Sequence, residues 1–244
     1  MSLNRIFIVC LCLLHVAPAI SSADSPVKVL RAYGPGGPHH VLEECANLFL
    51  EKSGVDIKVI KALPHNLETN LPMDGDLYFG GAEYMLEDFN RLNPGVIDVS
   101  TTENLYPRRI GIIVRKGNPL DIKSVDDLKK DGVAVLDVKL EKMRHFHLDQ
   151  DDRIGNIRHH EYTGRQGVDA WLSSSEIDAW ITYKSWHISI ADQSDFIEIP
   201  GDHAVRYTPI ALTHRTPHQQ EAMNFIHFLK SSEAQMIFDE HGWN

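Results

Sequence analysis

Cysteine is scarce in this 244-residue chain: Cys10, Cys12 and Cys45 are all it has. The first two fall in a short apolar N-terminal stretch. If that stretch is removed, one thiol remains and no internal disulfide can form, so a packed core must hold the fold. Cys45 lies on an apolar helical stripe and reads as a buried, inert thiol. Positive charge is also in deficit, at 24 Lys and Arg against 34 Asp and Glu, a formal net charge of −10. That excludes a general binder of nucleic acid or anionic membrane, though not a local positive pocket. Long hydrophobic runs are missing, because residues 6–14 are too few to span a bilayer. Catalytic signatures are missing too: there is no G-x-S-x-G, no P-loop lysine motif and no G-x-G-x-x-G after a strand. Ser25 and Lys28 match S-x-x-K without a K-T-G companion, and we read the match as chance. No internal repeat, low-complexity tract or long linker occurs.

The N-terminus reads as a secretory signal. Arg5 supplies the positive segment, residues 6–14 the apolar one, and small residues end at Ala23, after which cleavage is expected. Val9 precedes Cys10 and Leu11 precedes Cys12, where a lipid-modified cysteine needs a small neighbour. Residues 1–23 are thus an expected signal peptide, and the mature protein is expected in the periplasm.

Beyond it, strands and helices alternate. Residues 27–33 read as a strand, broken by Gly34-Pro35-Gly36-Gly37-Pro38. Val41, Leu42, Cys45, Leu48 and Phe49 then share one helical face. Further strands are expected at 56–61, 76–79, 109–115, 133–136, 179–183, 196–199 and 209–212. Helices are expected over 82–89, after a Ser124-x-x-Asp127 capping box, and over 167–173, with two more at the C-terminus. Residues 140–165 read as loops with weak helix. The alternation implies an α/β fold with mainly parallel sheets covered on both faces. Terminal helices that return after a late strand suggest one lobe from both chain ends (24–107 plus 207–244) and an inserted second lobe (108–206). Such a chain has two crossings, and a cleft between lobes is a usual ligand site.

The segments VLRAYGPGGPHHVLEE, DGDLYFGGAEYMLEDF, YPRRIGIIVRKGNP, SSSEIDAWITYKSW and FIHFLKSSEAQMIFDEHGW occur in that order. Together they resemble type II periplasmic binding proteins, and more narrowly the accessory colonisation factor group related to molybdate and sulfate receptors. GPGG and GDLYFGGAEYM are the more specific of these motifs. The resemblance implies a bilobal fold with a two-crossing hinge. It also implies small carboxylate, phosphate or oxyanion ligands, the membrane subunits of an ABC importer as partners, possible homodimers, and in some relatives an adhesin or colonisation role. One stretch departs from the pattern. Residues 137–152 (DVKLEKMRHFHLDQDD) are basic and histidine-bearing where a Gly/Ser/Thr-rich ligand loop is expected.

Candidate ligand-binding residues follow from what an anion needs. Gly36, Gly37 and His39 open a helix at the carboxyl end of a strand, where free N–H groups and the helix dipole suit an anion. Gly80 and Gly81 form the matching loop after the third strand. Glu83, in the next helical turn, suits the helix dipole instead. Arg108 and Arg109 point to opposite faces of a strand, so one can meet a ligand as a two-pronged donor while the other makes a surface ion pair. Lys139 lies nearest a strand end in the basic cluster with Lys142 and Arg144. Tyr183 and Lys184 end a strand and start a helix, although a core aromatic is the plainer reading of Tyr183. His39-His40, His145-x-His147 and His159-His160 raise a transition-metal alternative, but there is no H-E-x-x-H. The expectation is an exported solute-binding protein, not an enzyme and without a cofactor or nucleic-acid partner. It holds a small anion for uptake. The alternatives are a surface adhesin reusing the fold and a histidine-based metal binder.

Overall fold

The computed structural model describes residues 28–143 and 156–244. The expected signal peptide, Arg144, His145 and His147 lie outside the described residues. Strands β1 (Lys28–Gly34), β2 (Val55–Lys61) and β3 (Leu77–Phe79) are separated by helices α1 (Gly36–Ser53) and α2 (Pro64–Asp74). Helix α3 (Glu83–Leu92) leads to the long strand β4 (Glu103–Arg115). Then come β5 (Val135–Val138), β6 (Ile157–Glu161), α4 (Gly164–Ser173), β7 (Ala179–Tyr183), α5 (Lys184–Ile188), β8 (Ser194–Glu198) and β9 (Val205–Leu212). Helices α6 (Gln219–Leu229) and α7 (Ser232–Glu240) close the chain.

The strand order is β2-β1-β3-β9-β4-β7-β5-β6, with β8 paired to β4. Pairing is parallel for β1 with β2 and β3, and for β5 with β6 and β7. It is antiparallel wherever β4 or β9 takes part. The sheets are therefore mixed, not mainly parallel. Strand β9 runs opposite to β3 and β4, and β4 runs opposite to β7 and β8, so the two strands that join the parallel groups carry only antiparallel pairs. Pro107 has no N–H to give, and it sits where the β4–β9 register shifts, between Asn104 and Pro107.

Alternation along each strand builds two cores per group. Leu77 and Phe79 face one, with Leu30, Leu42, Phe49 and Phe225. Tyr78 faces the other, with Leu71, Phe89 and Ala211. In the second group Ile112, Val114 and Ile181 face one side, while Ile113, Trp171 and Trp180 face the opposite side. Residues of the chain ends pack in the first pair of cores and residues of the middle in the second. On α1, Ala46 joins Val41, Leu42, Cys45 and Phe49 in the core while Leu48 is only half-buried. Burial pushes the Cys45 thiol up to about 12, which keeps it protonated.

Two elements were not expected. Helix α2 is polar, with only Leu67 and Leu71 buried, and carries Pro64 at its start and Pro72 inside. Strand β6 (IRHHE) is a charged edge strand with no buried residue. The Ser124–Asp127 capping box forms, but it opens a 3-10 turn (Val125–Lys129) instead of an α-helix. A second capping box, Thr163 with Gln166, starts α4 at Gly164.

Candidate functional site

A cavity of about 610 Å³ opens between the two strand groups. The first turns of α1, α2 and α4 reach its wall through Gly36 and Gly37, Pro64, and Gly164 and Arg165. None of these helices has an acidic residue in its first turn. Their unpaired N–H groups therefore add positive potential without a competing carboxylate. Five basic side chains line the cavity (Lys61, Arg91, Arg108, Lys142, Arg165) against three acidic ones (Glu68, Asp88, Glu141). In a chain with a net charge of −10 this is a local reversal of sign.

Arg108 is buried, at 2 % exposure, on β4 where the strand crosses between the groups. Its guanidinium carbon lies 3.8 Å from the centre of the Tyr183 ring and 4.7 Å from that of Trp243. Nη1 donates to the Gly81 carbonyl at 2.7 Å, and Nη2 to the Ser185 hydroxyl at 3.1 Å. Nε is buried without a hydrogen-bond partner. A guanidinium has five N–H donors, and a buried one left unpaired is costly. Gly37 leaves room for this side chain, since a Cβ there would lie 3.2 Å from Nη2. Burial lowers the pKa of Arg108, while Tyr183, Glu141 and Tyr84 raise it, and an arginine remains charged in either case.

Glu141 is the second buried charge on the wall, at 8 % exposure. It ends a 3-10 turn (Lys139–Glu141) after β5. It accepts hydrogen bonds from the Thr182 hydroxyl and the Trp186 indole N–H, both at 2.6 Å. Burial pushes its pKa up to about 7, against the opposing pull of Thr182, Arg108 and Trp186. Trp186 reaches Glu141 by passing over Gly164, where a Cβ would lie 2.4 Å from the indole. The Tyr84 hydroxyl donates to the Glu141 carbonyl at 3.2 Å. Burial, with Tyr183 and Glu141 nearby, raises its pKa. Burial likewise lifts Tyr183 to about 12. Both phenols are therefore O–H donors at neutral pH. Lys142 pairs with Asp88 of α3 at 2.5 Å and lies over the Tyr84 ring at 4.7 Å. Helix α3 is thus tied to the turn after β5 by two contacts across the cavity.

Of the residues singled out from sequence, Gly36, Gly37, Gly81, Arg108 and Tyr183 come together on this wall. The others do not line it. Gly80 packs beneath, with its N–H on the Pro209 carbonyl. His39 is half-buried within α1. Lys139 is exposed, 5.7 Å from the Tyr162 ring, and Lys142 takes the inward position three residues on. Lys184 donates to the Asn244 side chain at 2.6 Å. The helix expected after Tyr183 is only Lys184–Ile188. Arg109 makes the surface ion pair, with Glu198 at 2.9 Å. Glu83 accepts from the Tyr207 N–H. The sequence reading missed Glu141, Tyr84, Trp186 and Trp243. Glu141 in KLEKM looks like one member of a solvated charge run, and only the turn after β5 directs it inward.

The histidine pairs divide. His159 and His160 are adjacent on β6 and so face opposite ways, and His160 lies 3.7 Å from Asp137. His40 is 3.9 Å from Glu43 and packs edge-on to His241. Among the described residues no group of three or more His, Cys, Asp or Glu is placed to hold a metal ion. Among them, too, no helix is long and apolar enough to cross a membrane.

A family model described as bacterial extracellular solute-binding protein matches residues 30–142 and 150–244. No curated protein matches the sequence. Among solved structures, PEB3 bound to L-phospholactate is 26 % identical with a TM-score of 0.73, over 88 % of this chain and 99 % of that one. Peb3 from Campylobacter jejuni matches over the same spans with a TM-score of 0.72, again at 26 % identity. The periplasmic molybdate-binding protein of Azotobacter vinelandii is 13 % identical with a TM-score of 0.65, over 88 % of this chain and 98 % of that one. This likeness shows the bilobal type II fold of periplasmic binding proteins.

Proposed function

The chain belongs to the bacterial extracellular solute-binding proteins, and on that premise we propose that it captures a small anion in the cavity around Arg108. The observation that carries this reading is the buried Arg108 guanidinium, with an unpartnered Nε on a wall of helix N-termini and an excess of basic side chains. A carboxylate or phosphoryl group that takes Nε and a remaining Nη hydrogen as a fork would satisfy it. Tyr183 adds an O–H donor, as an anion requires. L-Phospholactate, held by the PEB3 relative, carries both anionic groups.

The lobes of this reading are 24–107 plus 207–244, and 108–206, with β4 and β9 as the crossings. The separate cores on either side of the cavity support that division. Hinge motion about the crossings would open and close the cleft. The arrangement serves delivery to an ABC importer after export to the periplasm. No bond is broken in this account.

Calorimetry of the protein with L-phospholactate, inorganic phosphate, sulfate, molybdate and citrate tests the reading. It predicts one-to-one binding of at least one of these anions. Silence from all of them would refute it.

A further inference from the structure

Beyond the anion itself, the cavity has far more room than an oxyanion fills. A tetrahedral oxyanion displaces a few waters, at about 30 Å³ each, whereas this cavity measures about 610 Å³. That size falls within the roughly 300–1,000 Å³ range of sites that hold molecules with a substantial organic body. The excess has a direction. Gly81, bonded to Arg108, lies just ahead of α3. From there the ten residues of the helix run to Leu92, about 15 Å at 1.5 Å per residue. Met85, Phe89 and Leu92 fall at i, i+4 and i+7 on α3 and all line the cavity. Leu63 and Leu67, at the start of α2, line it as well.

Leu63 and Leu92 are 37 % and 60 % exposed, so the arm ends in apolar side chains that face solvent. The charged groups along it leave the apolar surface open. Asp88 is tied by Lys142 and Arg91, and Glu68 and Arg91 sit at the exposed rim.

We infer that the ligand is an amphipathic acid: an anionic head at Arg108 and Gly37 with an aliphatic or aromatic body lying between α2 and α3. The inference rests on the anion reading above and adds the body. An apolar wall continuous with the anion end of the cavity distinguishes this occupant from a compact oxyanion. Each methylene moved from water onto that wall is worth about 0.8 kcal/mol, or about fourfold in affinity.

The test is a chain-length series of phosphate monoesters (methyl, ethyl, butyl, hexyl and phenyl) measured by calorimetry beside inorganic phosphate and 1-hexanol. Affinity should climb about three- to fourfold per methylene. Leu63→Ser and Leu92→Ser, both at exposed positions that a fold tolerates, should flatten that slope to less than twofold. Hexanol should bind at least a hundredfold more weakly than hexyl phosphate. If phosphate binds but the esters gain nothing with length, the apolar body is wrong and the anion reading stands. A slope unchanged in both serine variants overturns the placement between α2 and α3. Binding of hexanol equal to that of hexyl phosphate overturns the anionic head, and no binding of any phosphate monoester overturns the inference, whereas the anion reading falls only if the anions titrated above are silent as well.

Discussion

The Arg108 guanidinium carbon lies over the Tyr183 ring, 3.8 Å from its centre, at the point where β4 crosses between the strand groups. It also lies over the Trp243 ring, 4.7 Å from its centre. A guanidinium held over aromatic rings keeps N–H groups for other partners. Two of those groups are spent on Gly81 and Ser185, which leaves the buried Nε without one.

Arg108→Lys should keep the charge and lose the planar fork. Hydrogen bonds to charged groups contribute about 1.5–3 kcal/mol each, so ligand affinity should fall at least tenfold. Calorimetry with L-phospholactate reads the loss, and an unchanged affinity in the lysine variant would show that no fork is made.

Glu141 makes stability depend on pH. Its folded pKa, about 7, stands above the usual 4.5 because burial disfavours the charged form. The stability it contributes is therefore fully present below about pH 4.5 and is lost as pH rises through about 7. The size is on the order of 3 kcal/mol. Glu141→Gln can still accept from Trp186 and donate to Thr182, and it carries no titration. Tm of the wild type should drop by several degrees more than that of Glu141→Gln between pH 5 and pH 8. Parallel Tm profiles would show that Glu141 is not held in a desolvated site.

Gly164→Ala should destabilise the protein by about 1–3 kcal/mol, because its Cβ would lie 2.4 Å from the Trp186 ring. Thermal unfolding should show Tm several degrees lower, and tryptophan fluorescence should shift as Trp186 moves. A variant with wild-type Tm would mean that the indole relocates freely and does not need its bond to Glu141.

The Lys142–Asp88 pair crosses the cavity, yet its side chains are 55 % and 40 % exposed. Exposed pairs contribute about 1 kcal/mol or less. Lys142→Met should therefore change ligand affinity by no more than about fivefold. A hundredfold loss would promote Lys142 from a bridge to a direct ligand contact.

Periodicity made most of the fold legible. AWITY is β7 from end to end, with Ala179, Ile181 and Tyr183 facing one core and Trp180 the other, the short apolar run expected of a strand buried on both faces. The same logic fails for α2, which buries two leucines and otherwise faces solvent and cavity. It fails again for β6, an edge strand with no buried residue. In the site, glycines before helices and an arginine at a crossing carry local signals, and Gly37, Gly81 and Arg108 meet. Lys139 and Lys142 are not told apart by sequence. The 3-10 turn and the left-handed backbone of Lys142, φ 52°, decide which of them faces inward. Glu141 and Trp186 become partners only through tertiary folding, across 45 positions of sequence.

The central claim is that Arg108 holds the anionic group of the ligand. Calorimetric titration of L-phospholactate into the wild type and Arg108→Ala tests it most directly. The account predicts one-to-one binding to the wild type and a loss of at least a hundredfold in the alanine variant, with the fold of that variant confirmed by circular dichroism. Equal affinity in a folded Arg108→Ala would contradict it.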